Sequence, residues 1–140
     1  MGHFAHYQVL TDNKVLNLPN LSPSGGTGVT AESQSKQRII WNPANDISLD
    51  DGADTRPILC FNVDLDNADD FKLRVWILTD QGAQKTIFEW TYDGNSTRQI
   101  MEPFHLSWVN TGNNPIMFQK ISGNGQVQIR NVIVMYQRHS

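Results

Sequence analysis

The stretch Asp64-Leu65-Asp66-Asn67-Ala68-Asp69-Asp70 places four carboxylates in seven residues, between two strongly apolar runs. Carboxylates at that density chelate a cation, hold the hydroxyls of a ligand, or simply line a turn. Calcium takes about six to eight oxygen ligands, several of them from carboxylates. Asp66, Asp69 and Asp70 are therefore the candidate metal ligands. Their spacing departs from a helix-loop-helix calcium loop. Ala68 stands where a ligand is needed, no glycine follows it, no glutamate closes the set, and the flanks read as strands. A calcium ion here needs further oxygens from other loops.

Planar amides and carboxylates also grip the vicinal hydroxyls of sugars, and aromatic rings pack against the C–H face of a sugar ring. The chain is rich in Asn, Gln, Asp, Ser and Thr, with four Trp and three Tyr. In a meander, alternate loops gather at one end. The loops 66–70, 93–96 and 122–125 would then share an end and display Asp66, Asn67, Asp69, Asp70, Asp93, Asn95 and Asn124. Trp41 and Trp108 lie near strand ends, where a ring can reach a loop pocket, and complete the candidate ligand-binding set. Trp90 and Trp108 also share parity with core positions. Asp, Asn and Gly populate turns for backbone reasons alone, so residue type by itself does not separate a sugar site from plain turns.

Catalytic chemistry finds fewer candidates. The glutamates are Glu32, Glu89 and Glu102, without the paired spacing that glycoside cleavage uses. His105 and Ser107 stand side by side on one strand pattern with no third group to orient them. No catalytic residue is assigned, and a non-enzymatic protein is expected. His3, His6 and His139 lie near the two ends, where pairing of terminal strands would bring imidazoles together.

The elements that position these residues follow from periodicity. Helical spacing is absent, while period-two alternation recurs between Gly, Pro, Asn and Asp. The pattern predicts strands at 4–10, 14–18, 38–41, 46–49, 57–65, 71–79, 85–92, 97–101, 104–109, 116–121 and 126–137. Many short strands with regular turn signals imply an all-β, antiparallel β-sandwich of jelly-roll-like type. At 140 residues the chain is one domain, 1–140, with a long polar surface loop at about 19–37. The general look resembles jelly-roll lectins and β-sandwich capsid or appendage subunits, a likeness of architecture that carries no site.

Three hairpins are expected. The first turns at Asn67–Asp69 and sets Leu65 opposite Phe71, Asp64 opposite Lys72 and Asn62 opposite Arg74. The second turns at Asp93-Gly94 and pairs Glu89 with Arg98 and Lys85 with Glu102. The third turns at Ser122–Gly125, with Phe118 near Ile129. A bulge near Arg130–Asn131 is needed to keep Val127 and Ile129 on the same face as Val132, Val134 and Tyr136.

The outward face is then unusually apolar: Ile58, Cys60, Trp76, Leu78, Ile87, Ile133 and Met135. Another part of the chain, a second copy in a homo-oligomer, or a ligand could cover it. The net charge of −3 with scattered basic residues excludes a nucleic-acid partner. A single cysteine permits no internal disulfide. No apolar run approaches the roughly 20 residues of a membrane helix, so no membrane insertion is expected. The expected protein is soluble, cytoplasmic or released without a visible signal peptide. The reading with most support is a lectin-like carbohydrate-binding protein, with or without Ca2+. The alternatives are a structural or assembly subunit and, third, a glycan hydrolase.

Overall fold

The computed structural model describes residues 3–11, 15–18, 36–43, 47 and 56–139. Among them are seven strands: β1 (His3–Val9), β2 (Leu16–Leu18), β3 (Lys36–Trp41), β4 (Ile58–Leu78), β5 (Gln84–Gly94), β6 (Thr97–Pro103) and β7 (Asn114–His139). A single turn of 3-10 helix, Leu106–Trp108, replaces the strand expected at 104–109. Of the predicted loop, 19–35 lies outside the described residues, while Lys36 and Gln37 already belong to β3. Of the predicted strand at 46–49, only Ile47 is described, as a bridge. No helix of the described residues is long and apolar enough to cross a membrane.

The expected antiparallel β-sandwich forms, but by a different route from three hairpins. β4 and β7 are long strands of 21 and 26 residues that pair with each other along nearly the whole length of β4. Both turn a corner midway, β4 at 66–70 and β7 at 122–125. One half of β4 pairs with β6 and with the second half of β7, and β1 and β2 extend that layer beyond β7. The other half pairs with β5 and the first half of β7, with β3 outside it. One hydrogen-bonded sheet thus folds over to face itself.

The layers meet through aromatic side chains. Phe61 of one layer packs edge-on against Phe118 and Phe88 of the other, with ring centroids 5.3 and 5.9 Å away. Trp41 and Tyr136 meet at 5.5 Å with tilted rings. Leu59, Val63, Leu73, Val75, Ile77 and Ile129 fill the space between, all essentially without exposure. Burying side chains of this size contributes on the order of 1.5–3 kcal/mol each relative to exposure, which makes this alternating set the main stabilising term.

The corner imposes an unusual backbone. Asn67 and Asp70 on β4 have φ of 52° and 50°, and Gly123 and Gly125 on β7 have φ of 93° and 94°. Asn and Asp tolerate the left-handed region better than other side chains, and Gly enters it freely. Each bulge resets the alternation, so that Leu65, Ala68 and Phe71 all stay inside while Asp66, Asn67, Asp69 and Asp70 stay outside. A further left-handed residue, Asn131 with φ of 55°, makes the bulge expected at 130–131. Beyond it Val132, Val134 and Tyr136 are buried, and Ile133 and Met135 face outward.

The three hairpin registers are corrected accordingly. Leu65 lies opposite Val127, and Phe71 opposite Tyr92. Asp64 pairs with Arg130 rather than Lys72: its Oδ2 lies 2.5 Å from Arg130 Nε, and Thr97 Oγ1 donates to its Oδ1 at 2.8 Å. The Arg130 guanidinium holds the Asp64 carboxyl below its ordinary range. Glu89 pairs with Arg74 at 2.6 Å and Lys72 at 3.1 Å rather than with Arg98, because β5 and β6 lie in different layers. Lys85 stands opposite Ile77 and Glu102 opposite Leu59. Asn62 stands opposite Gln99 and Arg130, not Arg74. Phe118 stands opposite Val75 in a strand that continues through Ser122–Gly125. One residue of the outward apolar set moves inside. Ile87 joins the core across a register shift between Val75 and Trp76. Trp76 keeps its outward parity but is covered there, its Nε1 donating to Gln119 Oε1 at 3.1 Å.

A Cβ added at Gly123 would overlap the Asp70 carbonyl group, and one at Gly125 would overlap that of Asn67. Gly82, with φ of 81°, has nothing within 4 Å of such a Cβ. Gly123→Ala and Gly125→Ala are each expected to destabilise by more than about 3 kcal/mol or to prevent folding, a size reached only through backbone strain or core damage. Gly82→Ala should cost about 1 kcal/mol, the conformational part alone. Denaturant unfolding measures the difference, and equal costs at all three positions would contradict the close corner.

Candidate functional site

The corner gathers the acidic and amide side chains. The turn between β5 and β6 lies across it, with Ala68 opposite Gly94 and the Leu65 N–H donating to the Ser96 carbonyl at 2.9 Å. The bulged N–H groups find side-chain acceptors: Asn67 N donates to Asn95 Oδ1 at 2.7 Å, and Asp70 N to Asp93 Oδ1 at 2.8 Å. On the other side Asp69 stands opposite Asn124. Asp66, Asn67, Asp69, Asp70, Asp93, Asn95 and Asn124 are therefore neighbours at one end and all exposed, as the loop argument requires. Four of them also serve the backbone. Asn67 and Asp70 adopt its left-handed conformation, and Asp93 and Asn95 accept its N–H groups.

The carboxylate trio that comes together differs from the predicted one. Asp69, Asp70 and Asp93 can each place an oxygen within 4.8 Å of the others, an arrangement able to hold a metal ion. Asp66 is not part of it: the bulge separates it from Asp69 and Asp70, and Asp93 from the neighbouring strand takes its place.

The two tryptophans of the predicted set lie elsewhere. Trp41 is 0% exposed, packed against Phe104 and Tyr136 in the core, and offers no ring to a ligand. Trp108 is half-buried in the 3-10 turn beyond the end of β6 farther from the corner, with its ring 4.7 Å from that of His105. At the chain ends β1 pairs with β7 so that His3 stands opposite His139, whereas His6 packs on Tyr136 at 5.3 Å.

A cleft beside the corner holds the residues that sequence reasoning missed. β5 and β6 are the outer strands of the two layers on the same side, and the space between them is a cleft of about 650 Å³. Phe88, Trp90 and Tyr92 line one wall, and Arg98, Gln99 and Ile100 the other, with Asp93 at the corner end. Trp90 stands opposite Leu73 and shares the inward parity of Phe88 and Tyr92, yet is 61% exposed because β5 has no outer neighbour there among the described residues. Parity alone points to a core position. The signal able to find it is the alternation of Phe88, Trp90 and Tyr92 against the polar Glu89 and Thr91 on a strand with charged ends, the pattern of an edge.

Tyr92 is only 6% exposed, and its buried Oη has no hydrogen-bond partner among the described residues. The phenol is a donor at neutral pH in any case, and burial pushes it further up to about 12 against the opposing charge of Arg98. A buried, unsatisfied donor costs roughly 1–3 kcal/mol. Among the described residues Arg98 forms no ion pair. Glu89, outside the cleft wall, is held ionised by Arg74 first and Lys72 second, which suits a structural carboxylate better than a proton donor.

No protein-family model and no curated protein matches the chain. Solved structures do. The fold is similar to part of dimeric latent PorU from Porphyromonas gingivalis, with a TM-score of 0.59 and 8% identity over 99% of this chain and 13% of that one. A mutant of a family 29 carbohydrate-binding module aligns at a TM-score of 0.49 and 12% identity, over 96% of this chain and 92% of that chain. A family 35 carbohydrate-binding module from Clostridium thermocellum aligns at 0.47 and 14%, over 92% and 97%. At such identities the likeness is one of fold.

Asp93→Ala and Asn95→Ala remove the acceptors of the two bulged N–H groups. Each is expected to lower the unfolding free energy by about 1 kcal/mol, the net worth of one hydrogen bond at an exposed site. Asp66→Ala, whose carboxylate accepts neither N–H, should change it by under about 0.5 kcal/mol. Chemical denaturation of the three variants checks the order.

Proposed function

We propose that the chain is a non-catalytic carbohydrate-binding protein whose ligand lies in the cleft between β5 and β6 and extends toward the acidic corner. The observation that carries this reading is Trp90, a large ring 61% exposed beside a cleft that also presents Arg98, Gln99 and Asp93. An exposed indole offers a flat apolar surface to the C–H face of a sugar, while planar polar groups hold its hydroxyls. Beyond the cleft itself, the corner adds Asp69, Asp70 and Asn124 as hydroxyl acceptors at the same end of the sandwich. Calcium is the cation that fits the Asp69, Asp70 and Asp93 trio, with ligand hydroxyls and water completing its shell of about six to eight oxygens.

A second reading, assembly with further copies, rests on the outer face of the layer formed by β1, β7, β4 and β6. Tyr7, Met135, Ile58 and Pro103 follow one another across it, and Val9, Ile133, Cys60 and Met101 form the next row. Tyr7 and Met101 are 62% and 57% exposed. Two apolar rows across four strands form the kind of patch that marks an interaction surface. The two readings are compatible, since repeated copies strengthen weak single sites.

Trp90→Ala is expected to weaken glycan binding at least about tenfold, the loss of one stacking anchor, with the far-ultraviolet spectrum unchanged. A glycan array probed with wild type and variant, with calcium and with chelator, reads this out. Binding that survives the substitution would move the site away from the cleft, and binding indifferent to chelator would remove calcium from the proposal. For the second reading, light scattering should give a mass above one chain that falls on Met101→Lys. A monomeric wild type would sink it.

A further inference from the structure

The cleft is richer in donors than a neutral sugar requires. Arg98 stands opposite Val63 on β6, so it shares the inward parity of Ile100 and belongs to the cleft wall. Its guanidinium has no carboxylate partner among the described residues, because Glu89 is taken by Arg74 and Lys72 on the outer face of the other layer. Tyr92 on the facing wall carries the buried Oη that lacks a partner among the described residues. Arg98 is donor-only, and a protonated phenol without an acceptor is a donor left unused. Asp93 is the one carboxylate lining the cleft among the described residues, and one of its oxygens already accepts the Asp70 N–H.

We infer, resting on the carbohydrate reading above, that the cleft selects acidic sugars, with a uronate carboxylate seated on Arg98 and reaching Tyr92 while its ring stacks on Trp90. A carboxylate is acceptor-only and matches two donors, whereas a hydroxymethyl group in the same place brings one hydroxyl and no charge. Charge-assisted hydrogen bonds from Arg to a carboxylate are about twice as strong as neutral ones and frequently bidentate. The acidic corner sets the direction of the ligand. Without a bound cation, Asp69, Asp70 and Asp93 disfavour a second carboxylate at that end, so under chelator the unit next to the uronate, lying toward Asp93, is a neutral one held by its hydroxyls.

The experiment uses uronate oligosaccharides beside their methyl esters, which keep the ring and remove the charge. Short galacturonate oligomers and fragments alternating glucuronate with N-acetylglucosamine serve as probes, titrated calorimetrically against the whole chain. Wild type should bind an acid at least about tenfold more tightly than its ester. Arg98→Gln should bring acid and ester within about twofold by weakening the acid, and Arg98→Lys should restore part of the preference. In chelator the alternating fragments should exceed the uniformly acidic ones. Equal binding of acid and ester by wild type, or a preference that survives Arg98→Gln, overturns the inference and leaves carbohydrate binding standing. No binding to these probes or to any neutral glycan overturns both.

Discussion

The fold depends on the close approach of two backbones at one corner. There β7 passes β4 with Gly123 and Gly125 against the carbonyl groups of Asp70 and Asn67, and no side chain larger than hydrogen fits. Four residues are held in the left-handed region to make the turn, two per strand. The bulges do more than bend the strands. By adding residues at matched positions they return the apolar set to the inner face after the turn, so that a single ladder supplies both layers of the core. The side-chain acceptors of Asp93 and Asn95 then satisfy the N–H groups that the bulges release. β5 and β6, one in each layer and consecutive in the chain, follow the same bend.

Much of this is legible in the residues, and the part that is not has a definite cause. Alternation identifies the inner residues of β4 and β7 and the bulge at Asn131. It does not tell a hairpin from a strand that turns a corner. Both keep the same side chains inside, and they differ only in which strand lies next door. Charge pairing reinforces the wrong choice, since Asp64 with Lys72 and Glu89 with Arg98 are chemically sensible pairs. Ala68 is the discordant residue: a small apolar side chain in the middle of a supposed exposed tip. It is buried. The paired glycines of Ser122–Gly125 are the other clue, spaced two apart to meet a partner strand rather than to close a loop.

The candidate site is half visible for the same reason. Asp, Asn and Gly mark the corner correctly, since left-handed backbone and unpaired N–H groups call for those residues. The feature that marks Trp90 out, its place on an outer strand, belongs to topology, and residue spacing does not encode it. Trp41 shows the converse. Its position near a strand end is correct, but Phe104 and Tyr136 close over it. The acidic trio changes membership because a neighbouring strand supplies Asp93 in the place expected of Asp66.

The uninterrupted ladder through the bend also governs how the molecule breathes. In many sandwiches each sheet has its own hydrogen-bond network, and one can loosen while the other holds. Here β4 and β7 are rungs of both sheets, so opening either sheet pulls on the amides of its counterpart through the bend itself. Slow amide exchange along these two strands would then reflect one shared opening event, with local fraying left to the outer strands β1, β2, β3, β5 and β6. A ligand resting between β5 and β6 would touch both halves of that unit at once and damp its motion as a whole.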